Sequence, residues 1–182
     1  MEGSGRKNGE VAARFGKHLQ ASHSEYAGLI NYEQVRLLYT NLPASLAANL
    51  LLAATLAAVQ YTVVPTNMMI DWLAAIGLAV LGRTVLAITW WHADSKSKHN
   101  TQRWLSLFRI GVVVIGIIWG IGGGLFAQHV DVEHQVYLAF VLAGLCAGAI
   151  TALAIDWVSV VGLVLPVLLP LALLPFMAIF TM

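Results

Sequence analysis

The sequence predicts an all-α fold, a polytopic bundle of membrane-spanning helices, on three observations. The chain of 182 residues is 59% hydrophobic and only 10% charged, with a mean hydropathy of +0.77, far more apolar than a soluble domain of that length. Five apolar runs, at 42–64, 69–91, 105–127, 134–155 and 157–182, each reach about the 20 residues that cross a hydrocarbon core. Tryptophans punctuate them: Trp72, Trp90, Trp91, Trp104 and Trp157 fall near run boundaries and only Trp119 lies in mid-run. An indole favours the headgroup zone, which supports this segmentation.

Taken in order, residues 1–40 form a polar tail without the compact apolar core of a signal peptide. Within it, Val35, Leu38 and Tyr39 recur at helical spacing among Glu33 and Arg36, which predicts a juxtamembrane amphipathic helix over 31–39 lying at the membrane surface. Residues 41–182 are then the transmembrane domain. Lys96, Lys98 and Arg103 occupy the break between the second and third runs, whereas the breaks at 65–68, 128–133 and 155–156 hold no Lys or Arg. Positive charge stays on the cytoplasmic side, so that loop and the N-terminus are expected inside, Asp131 and Glu133 outside, and Asp156 inside. The fifth run reaches Thr181 and Met182 without a polar anchor, and a sixth span, missing from this stretch, is expected to follow.

Ten basic and nine acidic residues leave a net charge of +1, which supplies no basic footprint for nucleic acid. The partner that composition calls for is the lipid bilayer. Cys146 is the single cysteine, so neither a disulfide framework nor a thiolate metal site is available, and it reads as a small buried hydrophobe. No nucleophile with a base, phosphate loop or pair of catalytic carboxylates is present, and no cofactor is evident. Of six histidines, His18 and His23 are in the tail, His92 and His99 flank the inner loop, and His129 and His134 flank the outer one. None is placed at mid-membrane depth, where a haem held between spans would want its axial ligands. His129, Asp131, Glu133 and His134 make an external group that suits a cation or a proton, although a solvated loop is the stronger reading.

The polar residues inside the runs are the candidates for chemistry. Arg83 lies within the second run, where an unpaired guanidinium is costly. Arg109 sits near the cytoplasmic end of the third and can snorkel. Asp156 is the acidic residue predicted near the same depth, so an intramembrane polar cluster of Arg83, Arg109 and Asp156 is expected, with either arginine pairing the aspartate. Asn49, Gln60, Thr84 and Thr151 read as interhelical hydrogen-bonding groups or the lining of a small polar cavity. Gly116, Gly120 and Gly124 step by four in the third run, as do Gly144 and Gly148 in the fourth. Such steps line up small residues for close helix packing, within the bundle or, as the weaker alternative, at a dimer seam. Pro166, Pro170 and Pro175 space the fifth run and predict a kinked or locally opened helix.

With the runs placed, a sequence of features emerges: Leu37, Leu38 and Tyr39 before the first span, then Asn41 and Pro43, an arginine in the second span, Trp119-Gly120 in the third, the His134–Ala149 segment, and Pro166 with Pro170 in the fifth. This resembles the six-span N-terminal input region found before diguanylate cyclase (GGDEF, GGDEF/EAL) domains and before some hybrid sensor histidine kinases, over about residues 33–180. The resemblance implies a bacterial inner-membrane protein. It also implies a region that anchors, dimerises and transmits a stimulus to a cytoplasmic output domain in cis. That output is first a diguanylate cyclase making cyclic di-GMP and second a histidine kinase, with its catalysis outside these residues. A small transporter or channel, with Arg83, Asn49 and the fifth helix lining the path, is the alternative of a different class, and a plain anchor is a third.

Overall fold

A computed structural model describes the backbone of residues 3–93 and 101–180, and the side chains of 32–93, 101–170 and 172. The described residues form five helices and no strands: α1 (Gly3–Gln60), α2 (Thr66–His92), α3 (Thr101–Ala127), α4 (Val132–Ala152) and α5 (Trp157–Phe180). Four stretches are long and apolar enough to cross a membrane, Tyr32–Gln60, Thr66–His92, Thr101–Ala127 and Val132–Ala152, while α5 contributes a shorter apolar stretch, Trp157–Pro170, among the described residues. The loop with Lys96, Lys98 and His99, the side chains of His18 and His23, and that of Pro175 lie outside what is described.

Turn chemistry sets the helix ends. After α1, the N–H groups of Val63 and Val64 both donate to the Gln60 carbonyl, at 3.1 and 3.0 Å, and Pro65 precedes the first residue of α2. Asp131 caps α4, accepting from the His134 N–H at 3.2 Å; a carboxylate is the favoured partner for the free N–H groups of a first turn. Leu153 and Asp156 close the turn into α5 through bonds to Ala149 and Leu153.

The expected short surface helix over 31–39 is instead part of α1, which continues through Pro43 without a break. Val35, Leu38 and Tyr39 are buried, because their stripe faces the bundle rather than the membrane plane. Tyr39 stacks on Trp90 with centroids 5.0 Å apart and donates its hydroxyl to the Trp104 carbonyl at 3.2 Å. The boundary tryptophans likewise do not all face the headgroup zone. Trp91 and Trp157 are exposed, but Trp72 and Trp90 are buried in the core, where Trp72 donates to the Ile118 carbonyl at 3.2 Å and packs edge-on against Trp119 and Phe126. Position near a helix end fixes depth, while the angle around the helix decides whether the ring meets lipid or protein.

Helix α3 touches all four others and is the most buried of the spans. Its closest partner is α5, and the reason is a matched seam. A methyl group placed on Gly116 would sit 2.9 Å from the Leu163 carbonyl oxygen and 3.3 Å from that of Gly162. One on Gly120 would run into the Pro166 carbonyl, and one on Gly124 would lie 2.9 Å from the Pro170 ring. A proline inside a helix frees the carbonyl four residues earlier, so Pro166 and Pro170 free those of Gly162 and Pro166. These are carbonyls that face Gly116 and Gly120. The predicted opening of α5 is not a break, since α5 is helical throughout Trp157–Phe180; its prolines and the α3 glycines are two halves of one contact.

Candidate functional site

Every third or fourth residue of α2 turns inward: Met69, Trp72, Ile76, Val80, Arg83, Ala87 and Trp90. Arg83 is the one charge on that stripe and is only 5% exposed. Its stem lies over Gly111, where an added methyl group would be 3.2 Å from Cγ, and its guanidinium carbon sits 5.1 Å from the centroid of Phe108. Ring faces attract cations, yet a ring accepts no ordinary hydrogen bond from all the guanidinium N–H groups. Nε and Nη2 are buried without a hydrogen-bond partner among the described residues.

Arg83 forms part of the wall of a cavity of about 620 Å³. Helix α1 contributes Asn41, Ala44, Ser45, Ala48, Asn49, Leu51 and Leu52, α4 contributes Gly144, Leu145, Gly148, Ala149 and Ala152, and Leu163 comes from α5. Ala44, Ala48, Gly144 and Gly148 are exposed, and a methyl group added at either glycine would meet nothing within 4 Å. The cavity is therefore a cleft open between α1 and α4. Asn49 is tied by its Oδ1, which accepts from Trp119 Nε1 at 3.0 Å.

The predicted polar cluster divides in two. Arg109 donates from Nε and Nη2 to the two oxygens of Asp156, at 2.9 and 2.7 Å. The Ser159 hydroxyl donates to the same carboxylate at 2.5 Å. Gln34 of α1 donates to the Ile155 carbonyl at 2.9 Å, so three helices meet at this turn. Burial pushes the Asp156 carboxyl up, but the hydrogen bonds from Arg109 and Ser159 outweigh it and hold the group below the usual carboxylate range. Arg83 makes no ion pair with Asp156 among the described residues; it faces the cleft instead.

The glycines also divide. Gly116, Gly120 and Gly124 lie in the α3–α5 seam, whereas Gly144 and Gly148 line the cleft. Gln60 is fully buried, its Nε2 reaching the His134 carbonyl at 3.4 Å and its Oε1 without a partner among the described residues. Thr84 and Thr151 bond carbonyls of their own helices. At the turn between α3 and α4, His134 Nδ1 meets Asp131 Oδ1 at 2.5 Å. The hydrogen bonds from His134 hold the exposed Asp131 carboxyl below its usual range. Among the described residues no three His, Cys, Asp or Glu are placed to hold a metal ion.

Ser159, Gln34 and the alanine wall of α1 escaped the sequence reading. The Asp156-to-Ser159 spacing of three at a helix start was the available signal for the first, since it sets a serine hydroxyl beside a capping carboxylate. Ala44 and Ala48, one step of four apart, were the signal for the wall. Comparison of the chain with protein-family models, with curated proteins and with solved structures finds no match.

Proposed function

We propose that this bundle is the membrane input region of a bacterial signalling protein, held in the inner membrane with its N-terminus in the cytoplasm, that regulates a cytoplasmic output domain as a homodimer. The observation that carries the reading is Arg83: a buried charge with uncommitted donors on the wall of a membrane-level cleft, inside a bundle clamped at one end by Arg109 and Asp156. A charge kept in the spanning region at such cost is the mark of a functional position rather than of packing. The resemblance supplies the output, a diguanylate cyclase first and a histidine kinase second. Part of its residue set shares one interior, since Leu38, Tyr39 and Trp119 are buried and Gly120 abuts Pro166, while Leu37, Asn41 and Pro43 are exposed.

Catalysis of cyclic di-GMP synthesis needs two catalytic halves to meet, so a small shift of helices in a dimer suffices to gate it. The test is the open reading frame past Met182, together with cellular cyclic di-GMP. A sixth span followed by a GGDEF domain, and an output whose response to growth conditions is lost when the bundle is replaced by unrelated spans, are the expected results. A kinase domain in that place moves the reading to the second output. A stop codon at 183 overturns the input reading, and retained responsiveness after replacement reduces the bundle to an anchor.

A further inference from the structure

We infer that the cleft between α1 and α4 binds an amphiphile, an oxyanion head carried on an alkyl chain, with the head on Arg83 and the chain along the small-residue walls. Three features of the site select that chemistry. The guanidinium is buried, has Nε and Nη2 without a partner among the described residues and belongs to the cleft wall, which calls for an acceptor, and a charged oxygen is the strongest one available to an arginine. The rest of the lining is mostly apolar, and the volume of about 620 Å³ falls within the roughly 300–1,000 Å³ of small-molecule sites. On α1 the wall runs from Asn41 to Leu52, about 17 Å along the helix axis, and it opens sideways past Gly144 and Gly148, so a chain enters from the lipid phase without crossing a polar barrier.

Other occupants leave one part of the site unserved. An apolar helix laid in the cleft covers the walls but brings no free acceptor to Arg83. A small inorganic anion answers the arginine and leaves the walls bare. Fatty carboxylates and anionic phospholipids both carry the required pairing of head and chain. As a binding site the cleft stands on its own geometry; that its ligand is the stimulus rests on the input reading.

Equilibrium binding of radiolabelled hexadecanoate to the full chain in neutral detergent tests it. Saturable binding is expected, weakened by about tenfold or more in Arg83→Gln, the scale of a lost charged hydrogen bond. Gly148→Leu should weaken it as well by filling the cleft from a position with open space; because that variant leaves Arg83 in place, it keeps the test valid if Arg83→Gln fails to fold. Phosphatidylglycerol is expected to compete, while hexadecanol and inorganic phosphate are not. Saturable binding of radiolabelled phosphatidylglycerol without affinity for hexadecanoate assigns the head to a lipid and retains the site. Hexadecanol competing as well as hexadecanoate removes the role of Arg83, phosphate competing alone removes the chain, and binding unchanged in both variants overturns the site altogether. Binding that survives while the cellular output ignores both variants sinks the input reading and leaves the site.

Discussion

Asp156 shows how much a single side chain can carry in this bundle. It is 3% exposed and receives three hydrogen bonds from two residues of different helices, Arg109 and Ser159. Asp156→Asn should cost about 2–3 kcal/mol, less than the roughly 3–5 kcal/mol of breaking a fully buried pair because Arg109 keeps partial access to solvent. Unfolding in mixed micelles measures it. The pH dependence has a definite sign. The folded carboxyl lies below its unfolded value, so its contribution is complete above about pH 4 and is lost as pH falls through the folded pKa. The wild type should lose stability in that acid window and Asp156→Asn should not share this loss. Trp119→Phe is a milder case: it leaves Asn49 Oδ1 without its donor and should cost about 0.6–1.5 kcal/mol, with a double-mutant cycle against Asn49→Ala isolating the pair. Depth along the helix was legible in the sequence and put Arg83, Arg109 and Asp156 at similar levels. Direction around the helix was not, and direction decides which arginine meets the carboxylate and which is left facing the cleft.

Glycine steps that look alike in the sequence belong to different surfaces at the scale of the helix. In α3 the step meets carbonyls of α5, so Gly120→Ala forces the helices apart and should cost about 1–3 kcal/mol, the usual scale of overpacking. In α4 the step borders open space, so Gly144→Ala should change stability by no more than about 1 kcal/mol in either direction. Thermal unfolding of the two variants side by side gives the contrast directly. The helices themselves were legible because apolar run length and turn residues declare them. The partner of each face was not, because a four-residue step states that a face is flat without naming what lies against it. The same holds for Val35, Leu38 and Tyr39, whose spacing marked a helix face but could not distinguish a bilayer surface from the core of the bundle.

For the molecule as a whole, the order of helices and their antiparallel hairpins put the Glu133 turn at one end and the Asp156 turn at the other. If the charge pattern orients the chain, Glu133→Cys in a Cys146→Ala background should react with a membrane-impermeant maleimide in intact cells, and Arg103→Cys should react only after lysis; the reverse pattern inverts the topology. The all-helical, multi-pass class followed from composition and the length of the apolar runs, while the cleft did not, since it exists only where four helices leave a gap. The aromatic packing has a further use. Trp72 and Trp119 sit with centroids 5.2 Å apart toward the Gln60 end, and Trp90 and Trp104 lie 5.3 Å apart toward the Tyr32 end. Indoles at that range couple their electronic transitions, so each end of the bundle carries its own chiroptical reporter in the near ultraviolet. Replacing one ring of either pair by phenylalanine separates the two signals, and the remaining couplet then shows which end loosens first, with no external label attached.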